Sequence, residues 1–246
     1  FINTNYLSMT CCDEEYNEFL NLGIAYRKDC LELLDYYTLF EDSSSPFVDR
    51  APLAADFLWS CGDNSMIFKL INVHFDSNAG GVSQAFQNRL EASEIINSYI
   101  EDQMSINSLS NIIVLGDFND SIDDPENSNS LWPLISDDNL YFVDTDIANG
   151  TQTNWSYPSY PSHIDHILIN QNLFDENINS TISTLLLNQY ITNYSTISDH
   201  RPVLWSVPIN NQDITNGLVI NEIMYFTSQG PNGDWFEITN IDQSPI

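Results

Sequence analysis

The four histidines of this chain stand in three short segments. His74 is in INVHF, His163 and His166 are in SHIDHIL, and His200 is in ISDHRPV. A fourth segment, IIVLGDFND, has no histidine but puts Asp117 and Asn119 just past four consecutive apolar residues, Ile112–Leu115. Imidazoles and carboxylates move protons, carboxylate oxygens hold hard cations, and imidazole and amide N–H groups hold anions. Taken singly, an Asp is usually solvated and a strand-end His usually just hydrogen-bonded. Gathered at several strand ends, the same residue types are what the catalytic face of an α/β sheet requires.

Those segments need a scaffold, and the pattern of apolar residues supplies one. Gly23–Tyr26 and Phe57–Trp59 read as short strands. Met66–Phe75 is a longer, alternating one, and Ile164–Ile169 and Pro202–Val207 are two more. The unbroken run Ile112–Leu115 marks a strand buried on both faces. Between them, Ser83–Met104 predicts a helix with Ser83 as N-cap. Its stripe is Phe86, Leu90, Ile95, Ile96, Tyr99 and Ile100, and Asn78–Gly81 forms the preceding turn. This is an α/β chain with buried sheets. Pro208–Gly217 is polar and aperiodic and reads as a linker, followed by two strand-like runs, Leu218–Met224 and Trp235–Thr239.

With 246 residues, 42% of them hydrophobic, the chain can bury a large core. No apolar run approaches the roughly 20 residues of a membrane-spanning helix. The charge is lopsided: 35 acidic against 6 basic side chains, a formal −29. Such a surface repels nucleic-acid backbones and anionic lipid, which excludes a charge-driven nucleic-acid binder. It leaves open an enzyme that turns over a polyanion with a divalent cation bound. Cys11, Cys12, Cys30 and Cys61 match no zinc-site spacing. One or two disulfides in an oxidising compartment, or buried thiols, remain the alternatives. A first residue of Phe without a signal peptide, and an end just after a strand-like run, read as an internal piece of a longer protein.

NVHF, GDFND, IDHIL and SDHRPV, in that order and each at a strand end, resemble the signature of the endonuclease/exonuclease/phosphatase superfamily of metal-dependent phosphoesterases. The resemblance runs over Gly23–Val207, and Arg50 in FVDRAPL matches a further recurrent element. It implies two packed β-sheets flanked by helices, a four-layer α/β sandwich, over residues 1–207. It also implies roles: Asp117 activates or orients the attacking water, and Asn119 holds that water or the phosphate. Asp199 binds the metal, Mg²⁺ or Mn²⁺, with Ca²⁺ admitted as a structural ion. His200 donates to a phosphate oxygen and is oriented by Asp165, while His74 clamps the phosphate from the other side. Arg50 contacts phosphate or braces the site. Beside these, His166 points away from Asp165 on a strand and reads as packing; His163 shares the face of Asp165; Arg201 reads as a structural ion pair. The chain departs from the family at its start, where a strand carrying Asn and a strand ending in a metal-binding Glu are expected before Gly23; Glu14 and Glu15 are poor replacements.

From residue 218 to 246, LVINEIMYF and WFEITN resemble the opening of a lamin-tail domain, an immunoglobulin-like β-sandwich, joined by the 208–217 linker. That pairing resembles large secreted bacterial nucleases and phosphoesterases. It implies an extracellular or cell-surface protein, with surface or partner binding through the β module. The long helix after NVHF and the run GDFNDSIDDP resemble the extracellular nuclease branch, with DNA favoured over RNA as substrate. The alternatives are a phosphodiesterase or phosphatase on lipid or small-molecule phosphates, and a catalytically silent surface-binding module. Inositol-phosphate phosphatases carry a Cys-Asp-Arg run where this chain has Ile164-Asp165-His166, which disfavours that branch.

Overall fold

The computed structural model describes residues 6–10, 22–28, 31–41, 46–47, 50–61, 64–208, 217–224 and 234–240. The strands in chain order are β1 (Tyr6–Thr10), β2 (Leu22–Arg27), β3 (Leu31–Thr38), β4 (Leu53–Cys61), β5 (Asn64–His74), β6 (Asn111–Asp117), β7 (Leu140–Phe142), β8 (Asp165–Asn170), β9 (Thr181–Thr184), β10 (Val203–Pro208), β11 (Gly217–Met224) and β12 (Asp234–Asn240). They form two six-stranded sheets, ordered β1-β2-β12-β11-β10-β9 and β3-β4-β5-β6-β8-β7. Strands β3, β7 and β9 escape the sequence pattern because their buried faces are short or interrupted: β3 buries Leu31 but exposes Leu34 and Tyr36.

Alternation along the central strands builds two cores. Leu53, Ala55 and Phe57 of β4, Ile113 and Leu115 of β6, and Ile167 and Ile169 of β8 face the other sheet, where they meet Ile24 of β2 and Val203, Trp205 and Val207 of β10. The intervening residues, Ala54, Ile112, Val114 and Leu168, face outward and are covered by Ala92, Ile96 and Ile100. Those three belong to α1 (Val82–Ile106), the crossover helix that makes β5 and β6 parallel. The helix starts one residue before the expected Ser83, with Gly81 (φ 124°) at the N-cap. Ile96 and Ile100 of the expected stripe are buried and Ile95 and Tyr99 pack against the same core, but its first turns are rotated. Ala85 and Arg89 lie fully inside, whereas Phe86 and Leu90 border a groove with Pro125, Trp132 and Pro133.

Of the segment from residue 218 expected to open an immunoglobulin-like module, the described residues form β11 and β12. Both are hydrogen-bonded into the first sheet, β11 to β10 and β12 parallel to β2. The linker's residues 209–216, Glu14, Glu15 and the side chains of the four cysteines lie outside the described residues. Among the described residues, no helix is long and apolar enough to cross a membrane.

Candidate active site

Register brings the site together. His74, the last residue of β5, pairs with Asp117, the last of β6, and Asp117 pairs with Asp165, the first of β8. These three have the parity of Leu70, Leu115 and Ile167, so their side chains continue the inter-sheet face where its apolar residues run out. The opposing sheet supplies the fourth group. His200, three residues before β10, places Nδ1 2.8 Å from Asp165 Oδ2 and Nε2 4.0 Å from Asp117 Oδ2. On its other side Asp117 Oδ2 lies 3.6 Å from His74 Nε2. All four residues are buried. The structure thus brings together four of the residues singled out in the sequence, as a carboxylate between two imidazoles with a second carboxylate behind one of them.

Local backbone makes this possible. Gly116 has φ 139°, and a Cβ there would stand 1.9 Å from the Val73 carbonyl oxygen; only glycine lets β6 approach β5 so closely one residue before Asp117. Asn119 adopts φ 52°, a left-handed conformation that asparagine tolerates. Its N–H donates to Asp117 Oδ1 (2.8 Å), and its side-chain amide donates to the Phe75 carbonyl (2.9 Å). Asn119 therefore braces the ends of β5 and β6, a fixed use of one amide hydrogen that the sequence does not reveal. Ser198 Oγ accepts the His200 N–H (3.1 Å), and the Tyr157 ring lies against the His200 imidazole, centroids 4.7 Å apart.

The electrostatics separate the two carboxylates. Burial pushes Asp117 up, and the neighbouring Asp165 adds to this against the pull of His74 and His200, so its pKa ends above the ordinary carboxylate range. Burial also raises Asp165, but the charge and hydrogen bond of His200 outweigh it, and Asp165 ends below that range. His200 is disfavoured as a cation by burial, yet Asp165, Asp117 and Asp199 together raise its pKa to about 10. The result is an ionised Asp165 holding an imidazolium, next to a carboxylate poised to take a proton.

The donor set fits a hard divalent cation. Asp199 Oδ1 is buried and has no hydrogen-bond partner among the described residues. Asp117, Asp165 and His200 each bring a ligand atom into a group spanning no more than 4.8 Å. Asp165 Oδ1 is likewise buried without a partner, so the carboxylates of Asp117, Asp165 and Asp199 are the groups that could hold the ion.

The remaining expected residues have hydrogen bonds of their own. Arg50 is half-buried ahead of β4, where its N–H closes a turn onto the Phe47 carbonyl (2.9 Å). Arg201 binds the carbonyls of Thr153 and Trp155 and the Asn188 side chain, so it ties loops together through neutral acceptors and not through an ion pair. His163 shares no face with Asp165: β8 begins only at Asp165, so alternation does not extend back to residue 163. Its ring instead meets Asp144, as does that of His166. Asp144, Ser156, Tyr157 and Arg89 are the residues that sequence reasoning misses. Only Arg89 leaves a trace, as a lone cation on the apolar side of a helix.

Two six-stranded sheets packed face to face, with imidazoles and carboxylates at the strand ends between them, make an α/β sandwich with a polar cluster at one end. The model of the endonuclease/exonuclease/phosphatase family matches residues 17–204, and the chain belongs to that family. Among solved structures, D. rerio TDP2 complexed with single strand DNA product is similar over 80% of this chain and 74% of that one, at 16% identity and a TM-score of 0.57. The human Nocturnin catalytic domain with bound sulfate covers 83% and 73% at 13% identity and TM-score 0.51. Bacteroides thetaiotaomicron mannosyl-6-phosphatase covers 84% and 78% at 16% and 0.51. At such identities the likeness is one of fold. No curated protein matches the chain.

Proposed function

We propose that this protein hydrolyses phosphodiesters with Mg²⁺ or Mn²⁺ bound, as a secreted nuclease of low sequence preference acting on DNA, with RNA as a weaker substrate. The observation that carries the hydrolytic reading is Asp117 Oδ2, held between His74 Nε2 at 3.6 Å and His200 Nε2 at 4.0 Å. In that reading Asp117 takes the proton of a water whose oxygen forms the new P–O bond, while the P–O bond to the leaving oxygen breaks in line and that oxygen takes a proton from solvent water. His200, kept protonated by Asp165, donates to a non-bridging phosphate oxygen, and His74 donates from the opposite side. Asn119 keeps the Asp117 carboxylate turned toward the gap. Asp199 and Asp117 would hold a divalent cation, which would supply positive charge to offset the phosphoryl oxygens. Arg50 adds a further cation for the phosphate.

DNA as substrate rests on the resemblance of the α1 and GDFNDSIDDP segments to extracellular nucleases, and the secreted location on the same resemblance together with the acidity. The two C-terminal strands would begin a module that attaches the enzyme to a surface or partner. One observation favours a second reading, a lipid or small-molecule phosphoester: a net charge of −29 repels a long polyanion more than a single phosphate.

A substrate panel separates the two. Supercoiled plasmid, RNA, a sphingomyelin vesicle and sugar phosphates are each incubated with Mg²⁺ or Mn²⁺ and with EDTA. Metal-dependent nicking of plasmid, with the other substrates at least about tenfold slower in kcat/KM, is the expected result. Hydrolysis of sugar or lipid phosphate with plasmid untouched would replace the nuclease reading by the second one.

A further inference from the structure

Beneath the site, on the helix-facing side of the second sheet, lies a polar cluster that the reaction does not use. Asp144 follows β7 and is fully buried, as are His163 and His166. Its Oδ2 faces His166 Nδ1 at 2.6 Å and His163 Nε2 at 3.0 Å, and its Oδ1 accepts the Ile167 N–H at 2.9 Å. Three such groups could suggest a second metal centre, but the hydrogen bonds exclude it. His163 Nδ1 accepts the Ser156 N–H (3.2 Å), so its proton is on Nε2 and that nitrogen has no lone pair to give. His166 Nε2 donates to the Asp120 carbonyl (2.9 Å), and its Nδ1, facing a carboxylate, is a donor as well. Asp144 is therefore an anion receiving three hydrogen bonds, one of them from an imidazolium.

Each partner leads to the active site. Asp120 follows Asn119 in the turn that aims Asp117, and its carboxylate is anchored by Arg89 of α1 (3.4 Å) and the Ser130 hydroxyl. Ser156, held by His163, accepts the Ile164 and Asp165 N–H groups on Oγ (3.3 and 3.2 Å), and its carbonyl accepts the Arg201 N–H (2.7 Å). Asp165 and the residue before Arg201 are the two halves of the Asp165–His200 pair. We propose that Asp144 is a positioning residue that locks the Asp117–Asn119 turn to the Asp165–His200 pair, through His166 on one side and through His163 and Ser156 on the other. This inference rests on the catalytic reading of that pair given above.

The experiment uses Asp144→Asn, which keeps the shape but removes the anion, and Ser156→Ala, a milder change should the first fail to fold. Rates on plasmid are measured for each alone and combined with His200→Ala. Amide hydrogen exchange is followed in parallel. Asp144→Asn should lower kcat roughly 10- to 100-fold with KM within about twofold, and the loss should shrink below about threefold when His200 is already alanine. The amides of Ile164, Asp165 and Ile167 should lose about tenfold or more of their protection, while those of Ile113 and Leu115 keep theirs. Ser156→Ala should give the same pattern, confined to Ile164 and Asp165. A kcat loss of equal size in the His200→Ala background, or unchanged exchange at those amides, would overturn the proposal. Should the wild-type protein cleave no phosphodiester, the functional reading fails and the exchange data alone decide this one.

Discussion

His200 Nδ1 lies 2.8 Å from Asp165 Oδ2, and the two side chains come from opposite sheets. Asp165 opens β8 in the second sheet, whereas His200 belongs to the loop before β10 in the first. The pair is the polar closure of an otherwise apolar interface. It needs both sheets in register, and it turns a structural seam into a proton-handling group.

That seam sets a pH dependence. Burial alone would lower the His200 pKa, but Asp165, Asp117 and Asp199 raise it to about 10, so the imidazolium persists through neutral pH. A raised folded-state value contributes stability that is fully present below the unfolded value of about 6.5 and is lost as pH rises through about 10. Activity that needs the imidazolium should fall over the same alkaline limb. In Asp165→Asn that limb should move toward neutrality and kcat should drop about 100-fold. A pH–rate profile of both proteins checks this, and an unmoved limb would remove Asp165 from the account.

Gly116→Ala should destabilise the fold by roughly 3 kcal/mol, since φ 139° is strained for any side chain and a Cβ would meet the Val73 carbonyl at 1.9 Å. Urea denaturation measures it. A loss under about 1 kcal/mol would mean that β5 and β6 relax apart without consequence.

Arg89→Met should cost about 3 kcal/mol, because it leaves the Asp120 carboxylate without its guanidinium and vacates acceptors at Ser130, Asn78 and the Asp76 carbonyl. Thermal unfolding is the readout. A variant as stable as the parent would show that Ser130 alone holds Asp120.

Tyr157→Phe and Tyr157→Ala separate ring from hydroxyl. The ring face packs on His200 at 4.7 Å, so Phe should keep kcat within about twofold while Ala lowers it about tenfold. Equal losses in both variants would assign the role to the hydroxyl.

The parts legible in the sequence are those where one strand carries its own signal. Ile112–Leu115 announces a strand buried on both faces, and Asp117 sits where that run stops; IDHIL and SDHRPV do the same for Asp165 and His200. Opposite faces for Asp165 and His166 also follow from alternation and hold in the structure, where His166 packs against Phe118 and Phe142. Asp144 escaped because it follows a strand of only three residues, too short for a period to show. His163 lies off the face that alternation assigns to it because residue 163 belongs to the loop before β8. Ser156 and Tyr157 act through a hairpin closed by the Tyr157–Ser162 bridge, a tertiary arrangement that leaves no local pattern. The stripe of α1 holds at Ile96 and Ile100 and departs from the apolar period in the first turns, where Ala85 and Arg89 are buried and the larger Phe86 and Leu90 lie at the edge.

Asp117→Ala tests the central claim most directly. Nicking of supercoiled plasmid is measured with Mg²⁺ or Mn²⁺ and with EDTA, alongside circular dichroism to verify the fold. The account predicts metal-dependent nicking by the wild type, abolished by EDTA, and a rate at least about 1,000-fold lower in the folded variant. A folded Asp117→Ala protein that nicks within about threefold of the wild type would contradict it.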